Sequence, residues 1–195
     1  PNLNPPFFAV LVWPLAQLEY AAAWAVWCMV SLCCALLSMG LFVCAYVPQG
    51  ENRWKWVALA SVALLAYFPT YASFAYGQTT FFILLLLVAG WDALRNGRDC
   101  SAGVWLGLAA SLKPFVALFF LALLFARHVR ATAFFVVTCA VAGAVGLMMA
   151  GWGAHLDYWR IAGDVTWLAA SWNASFAGYF SRIFGGGENI PWADA

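Results

Sequence analysis

The strongest constraint on this chain is an uninterrupted run of uncharged residues from Ala21 to Val47. A helix of this length is long enough to cross the roughly 30 Å hydrocarbon core of a bilayer. The rest of the chain has a similar character, because 66% of its 195 residues are hydrophobic and only 9% are charged. A water-soluble globular domain does not ordinarily have this composition. The sequence therefore predicts an all-α, polytopic membrane protein.

Prolines, glycines and charged residues divide the chain into further hydrophobic segments. We expect a short interfacial helix at 5–20, which Pro14 interrupts. Spans are expected at 21–47, 56–76 and 131–151, with a short span at 79–94. The 152–195 segment is more polar and is predicted to be an external loop region. Because the chain begins at Pro1 without a methionine, we expect it to be an interior part of a longer protein that lacks N- and C-terminal parts.

Three small basic clusters predict the orientation of the spans. They are Arg53 with Lys55, Arg95 with Arg98, and Arg127 with Arg130. The positive-inside rule places such clusters in the cytoplasm. A single crossing by residues 101–126 would put the third cluster on the side opposite the second. A re-entrant or broken helix hairpin that turns at Lys113-Pro114 keeps all three clusters on one side, and we expect this hairpin at 101–126.

Lys113 is the charged residue within the otherwise apolar 101–126 segment. An ammonium at the centre of a membrane helix costs roughly 2.5 to 3.5 kcal/mol even on the lenient insertion scale, so it should lie beside an anion or in a wet cavity. One interpretation is that the long side chain reaches the interface and binds nothing. The other is that the ammonium holds a phosphate at membrane depth, with Pro114 fixing the turn.

Other polar positions carry weaker signals. Gln78 follows Gly77 between two predicted spans and either satisfies open backbone groups there or hydrogen-bonds a sugar hydroxyl. The spacing of Gly103 and Gly107 is typical of closely packed helices. The six cysteines lie almost wholly in apolar spans, without a metal-ligand pattern, and we expect no metal site. No continuous basic surface for nucleic acid and no hydrolase motif is present.

Five short motifs occur in a fixed order along the chain. They are Asn2-Leu3-Asn4-Pro5-Pro6-Phe7-Phe8, Pro14-Leu15-Ala16, Tyr76-Gly77-Gln78, Gly103 through Gly107 to Leu112-Lys113-Pro114, and Asn173-Ala174-Ser175-Phe176-Ala177-Gly178 with Arg182. This series resembles glycosyltransferase family 87, the polyprenol-phosphate-mannose-dependent mannosyltransferase-like membrane proteins of bacteria. The resemblance covers nearly the whole chain.

The resemblance implies part of the C-type glycosyltransferase fold, in the plasma or inner membrane, with the active site on the external side. The implied reaction moves a hexose, mannose in the family, from a polyprenyl-phosphate donor to a glycan or glycolipid acceptor, and it uses no cofactor. The general base that such enzymes use is expected in a loop upstream of Pro1.

The resemblance and the residue chemistry together indicate two groups of site residues. Lys113 and Arg182 are the candidates for binding the donor phosphate. Asn4, Gln78 and Asn173 are the candidates for binding sugar hydroxyls. Two other functions stay open: a transporter or flippase for a lipid-linked or anionic solute, because broken helices and intramembrane cations also mark transport sites, and a purely structural subunit of a larger complex.

Overall fold

The computed structural model of the protein describes residues 4–48, 51–164, 179 and 183. Every regular element within these ranges is a helix, which confirms the all-α prediction. The helices are α1 (Pro6–Ala16), α2 (Tyr20–Tyr46), α3 (Arg53–Ala66), α4 (Phe68–Ala75), α5 (Thr80–Arg95), α6 (Asp99–Leu112), α7 (Leu118–Phe125) and α8 (Val129–Asp164), with a 3-10 turn at Pro114–Ala117 between α6 and α7.

Two helices of the described residues are long and apolar enough to cross a membrane, namely Tyr20–Tyr46 and Val129–Ala162. A third crossing is added if α3 and α4 are counted as one bent span. The remaining helices are shorter, and α5 has 16 residues. A membrane protein built from full spans and shorter broken helices is what the hydropathy pattern predicts.

The predicted span at 56–76 is bent. Helices α3 and α4 meet at 69°, and Tyr67 between them has an extended backbone with φ −79° and ψ 122°. Pro69 explains the bend, because in a continuous helix it could not donate to the carbonyl of Leu65 and its ring would clash there. After the break it occupies the first turn of α4, where no donor is needed. Pro14, in contrast, lies in the last turn of α1 and does not interrupt that helix.

Two arginine side chains connect the end of α2 to the start of α3 and to the end of α5. Arg53, at the start of α3, donates from Nη2 to the carbonyl oxygen of Val47 at 2.8 Å. Arg95, at the end of α5, donates from Nη1 to the carbonyl oxygen of Ala45 at 2.9 Å. Its guanidinium also lies over the ring of Trp91, 4.9 Å from the centroid. The last turn of α2 therefore lies beside the start of α3 and the end of α5.

The third basic cluster joins the same end of the bundle. His128 Nδ1, just before α8, lies 3.2 Å from Asp99 Oδ1 at the start of α6. Arg98 adjoins Asp99, and Arg127 and Arg130 flank His128. All three predicted clusters thus share one end of the unit formed by residues 4–155. We call this end the basic face.

The direction of α6 relative to α8 follows from two glycine contacts. Gly103 lies against the backbone of Ala131, and Gly107, one turn later, lies against the backbone of Phe135. Successive turns of α6 therefore meet successive turns of α8, and the two helices run in the same direction. The chain between them has to return to the basic face, so α7 runs back along the bundle. This confirms the predicted broken helix hairpin.

The turn of the hairpin is at Lys113. This residue ends α6 with φ −138° and ψ 109°, and its N–H still donates to the carbonyl oxygen of Ala109. The cause is Pro114, because the residue before a proline is driven out of the helical region. Since α6 begins at the basic face, Lys113 lies at the opposite end of the bundle, about 21 Å along a helix of 14 residues.

Helix α8 is kinked at Gly151, which has φ 79° and ψ 168°. The helix continues beyond the kink to Asp164, so the first part of the 152–195 region is helical. A separate unit begins at Leu156. Within it, Arg160 Nη1 lies 3.6 Å from Asp157 Oδ1, and both side chains are exposed.

We expect the Gly103→Ala variant to be less stable than the wild type. Its Cβ would collide with the carbonyl oxygen of Ala131 and lie 2.7 Å from Cβ of Phe134, and such overpacking costs about 1–3 kcal/mol. The measurement is the thermal midpoint of the detergent-purified protein. Gly143→Ala in α8 is the matched control, because a Cβ there meets nothing within 4 Å, and helix propensity should leave its stability equal or higher. Equal midpoints for the two variants would contradict the close α6–α8 contact.

Candidate functional site

A cavity of about 200 Å³ lies between α1, α2 and α5, and it reaches the last residue of α6. We call it the inner cavity. Its lining is apolar apart from the Trp27 indole and the Thr79 hydroxyl, and it includes Val12, Val30 and Leu112. Because Leu112 ends α6 and Thr79 precedes α5, the inner cavity lies at the end of the bundle opposite the basic face.

Three aromatic rings form one wall of this cavity. Trp27 stacks on Phe82 with ring centroids 4.9 Å apart, and Phe8 meets Trp27 edge-on at 6.0 Å. Phe8 and Trp27 also line a second cavity of about 380 Å³, which includes Tyr20 and Tyr76. Phe8 and Trp27 therefore form a wall shared by the two cavities, and aromatic pairs of this geometry are favourable contacts.

Thr79 is the unusual polar residue of the inner cavity. Its side chain is only 3% exposed, and within the described residues its Oγ1 has no hydrogen-bond partner. Thr79 stands at the N-cap of α5, but it makes no side-chain cap bond and its backbone has φ −77° and ψ 8°. A capping threonine normally has an extended backbone and accepts from an N–H of the first turn. A buried hydroxyl left without a partner costs about 1–3 kcal/mol.

Two of the predicted site residues flank this cavity in the chain. Lys113 follows the lining residue Leu112 and is half-buried. Among the described residues no hydrogen bond or ion pair involves its ammonium. Gln78 precedes Thr79, its side chain is exposed, and its N–H donates to the carbonyl oxygen of Ser73 at 2.8 Å. The geometry therefore brings both residues to the same end of the bundle.

Asn4 approaches this end from α1. It is half-buried and lies just before Phe7 and Phe8, which pack against the core cluster that contains Leu112. The roles of Asn4, Gln78 and Lys113 stay predictions. Arg182 and Asn173, the other two predicted site residues, lie outside the described residues.

Sequence reasoning missed the most informative lining residues. Trp27 lies within the first long apolar run, where a tryptophan is hard to distinguish from the other apolar residues that fill a span. Thr79 directly follows Gln78, and this polar pair before an apolar helix was the available signal. Its burial could not be seen in the sequence, because it depends on α1 and α2 covering the start of α5.

The comparison with known families decides which kind of protein this is. A profile of glycosyltransferase family 87 matches residues 2–194. The chain belongs to glycosyltransferase family 87. This match covers every motif on which the sequence-based resemblance rests.

Curated relatives are similar to this chain over most of its length. It is 30% identical over 190 residues to the polyprenol-phosphate-mannose-dependent alpha-(1-2)-phosphatidylinositol pentamannoside mannosyltransferase of Mycobacterium tuberculosis. The aligned region covers 95% of this chain and 43% of that protein. The chain is 28% identical over 185 residues to the polyprenol-phosphate-mannose-dependent alpha-(1-2)-phosphatidylinositol mannoside mannosyltransferase of Mycolicibacterium smegmatis, covering 90% of this chain and 41% of that protein. The chain thus spans about two fifths of the length of these relatives. No solved structure matches it.

The turn that carries Gln78 depends on Gly77, which has φ +59°. We expect Gly77→Ala to lower the free energy of unfolding by about 1–2 kcal/mol, because a Cβ disfavours this left-handed conformation. Gly77→Asn should lose less, since asparagine tolerates it better. Unfolding by SDS in mixed micelles measures both. Gly40→Ala, which meets nothing within 4 Å and has no positive φ, is the control that should lose no stability. An Ala variant at position 77 as stable as the wild type would contradict the strained turn.

Proposed function

We propose that this chain forms the donor-binding part of a membrane glycosyltransferase, which moves a hexose, mannose by analogy with its relatives, from a polyprenyl phosphate to a glycan or glycolipid acceptor. One observation carries the proposal: in a family 87 chain, an apolar cavity is lined by Leu112, and the next residue, Lys113, is half-buried with no hydrogen bond or ion pair from its ammonium among the described residues. The names of the two curated relatives support the donor and a glycolipid acceptor. The lipid-linked sugar is a substrate in this proposal, and no resident cofactor is needed.

The inner cavity and Lys113 match the two halves of such a donor. The first carbons of a prenyl chain are apolar, as is the lining of the cavity, so their transfer from water is favourable. The phosphate would then lie near the residue that follows Leu112. When the bond between the sugar and the phosphate breaks, negative charge grows on the phosphate oxygen, and a fixed ammonium at low dielectric stabilises that charge. Lys113 is therefore proposed to stabilise the leaving phosphate.

The remaining predicted residues extend the same site. Asn4 and Gln78 carry amides that both donate and accept, which suits sugar hydroxyls. Arg182 is proposed as a second cation for the phosphate, and Asn173 as a further sugar ligand. No residue of this chain is proposed as the general base.

We expect Lys113→Met to lower kcat/KM for sugar transfer roughly hundredfold or more, the usual loss when one group that stabilises transition-state charge is removed. The assay is transfer of radiolabelled mannose from polyprenyl-phosphate mannose to membrane glycolipid by the purified protein in liposomes. Lys113→Arg keeps the positive charge and should retain more activity than Lys113→Met.

Lys55→Met is the matched control, because Lys55 is the other lysine of the chain and lies at the basic face. Transfer by this control should equal that of the wild type. Unchanged transfer by Lys113→Met would remove Lys113 from the mechanism. If the wild type moved labelled lipid across the liposome membrane but transferred no sugar, the function would be transport instead.

The proposed active site lies on the external side of the membrane, because the positive-inside rule assigns the basic face to the cytoplasm and Lys113 lies at the opposite end. In a cysteine-free background, we expect a membrane-impermeant maleimide to label Lys113→Cys in intact cells stripped of their wall. Arg130→Cys at the basic face should react only after lysis. The reverse pattern would place the site in the cytoplasm.

A further inference from the structure

We infer that Thr79 and the N-terminus of α5 bind a phosphate oxygen of the lipid donor, while the first prenyl unit of that donor fills the inner cavity. This inference rests on the proposed function and adds a positioning residue to it. Thr79 supplies a hydroxyl donor to the phosphate, and the first N–H groups of α5 supply the rest of the polar contact.

The hydroxyl of Thr79 has the properties of a group kept for a ligand. It is nearly fully buried at 3% exposure, and its Oγ1 has no partner among the described residues. The neighbouring Thr80 shows the ordinary alternative, because its exposed hydroxyl accepts a hydrogen bond from Ser73 Oγ at 3.3 Å. Because this hydroxyl also lines a cavity, it is available to a group that enters the cavity during function.

A water alone would satisfy the Thr79 hydroxyl but would leave most of this cavity without contacts. Its lining side chains are apolar apart from the Thr79 hydroxyl and the Trp27 indole. A ligand that is apolar along most of its length and polar at one end can contact the apolar lining and also hydrogen-bond the Thr79 hydroxyl. A prenyl chain joined to a phosphate has this shape.

The start of α5 favours an anion at the same place. No side chain caps this 16-residue helix, and the first N–H groups of a helix have no partner within it. These groups, together with the helix dipole, make a helix N-terminus a binding site for phosphate. Thr79 and Phe82 both line the inner cavity, so the first turn of α5 borders it. Lys113 follows another lining residue, Leu112, and adds positive charge at this end of the bundle.

The test is the binding of farnesyl phosphate, a short prenyl phosphate, to the protein in nanodiscs. We expect Thr79→Val to raise the Kd roughly tenfold, the factor for one hydrogen bond to a charged oxygen. Thr79→Ser keeps the hydroxyl and should bind like the wild type. Farnesol lacks the phosphate, so Thr79→Val should not weaken its binding. Inorganic phosphate alone should bind at least tenfold more weakly than farnesyl phosphate, because it leaves the cavity unfilled.

Ser61→Ala is the matched control, because Ser61 Oγ is also buried without a partner among the described residues but lies in α3, outside the inner cavity. Both Ser61→Ala and Thr79→Val should have a thermal midpoint equal to or above that of the wild type, since neither removes a hydrogen bond and each removes a buried hydroxyl without a partner. Only Thr79→Val should weaken the binding of farnesyl phosphate. Wild-type affinity in Thr79→Val, or an equal loss for farnesol and farnesyl phosphate, would overturn the inference. Binding that depends on Thr79 without any sugar transfer would uphold it while removing the proposed function.

Discussion

The contact of α6 with α8 at Gly103 and Gly107 is the interaction on which the rest of this structure depends. With no Cβ on these residues, the two backbones approach closely enough that an added methyl group would meet the carbonyl oxygens of Ala131 and Phe135. This contact makes the two helices run in one direction, which requires the intervening chain to turn back. The turn at Lys113-Pro114 and its distance from the basic face are consequences of that packing.

A turn in an apolar segment is acceptable only if its backbone polar groups have partners. At the residue where the chain turns they do, because the N–H of Lys113 donates to Ala109 and the carbonyl oxygen of Lys113 accepts from the N–H of Val116, each at 3.0 Å. Pro114 brings no donor that would need a partner. Both backbone polar groups of Lys113 thus have partners, and its ammonium is the group that remains costly to bury. Lys113 follows Leu112, a lining residue of the inner cavity, and the proposed role in binding phosphate would account for this cost.

The inner cavity combines features that would each be unfavourable in a purely structural region. The residues around the cavity lack the packing contacts that a filled volume would give them. The Thr79 hydroxyl makes no hydrogen bond among the described residues. Natural sequences violate such local rules mainly at functional sites. Both violations occur between α1, α2 and α5, at the lining residue Thr79 and the cavity itself. Gln78 and Lys113 adjoin the lining residues Thr79 and Leu112 in the chain, and this is the structural reason for proposing the donor site there rather than at the basic face. The family match is independent of this geometry.

Much of the architecture could be predicted from the sequence, because it follows from local properties of the chain. Hydropathy predicted a helical membrane protein, the proline after Lys113 predicted the break, and the basic clusters predicted a common face. The bend at Tyr67 also has a local cause, because Pro69 follows it in the sequence. The angle of 69° between α3 and α4 could not be predicted from the sequence. Only the tertiary structure decided the inner cavity and the burial of Thr79, because these depend on side chains from four helices that are distant in the chain. From the sequence, a threonine before a helix is expected to be an ordinary cap. The structure shows that Thr79 makes no cap bond and that it lines a cavity with residues of α1 and α2.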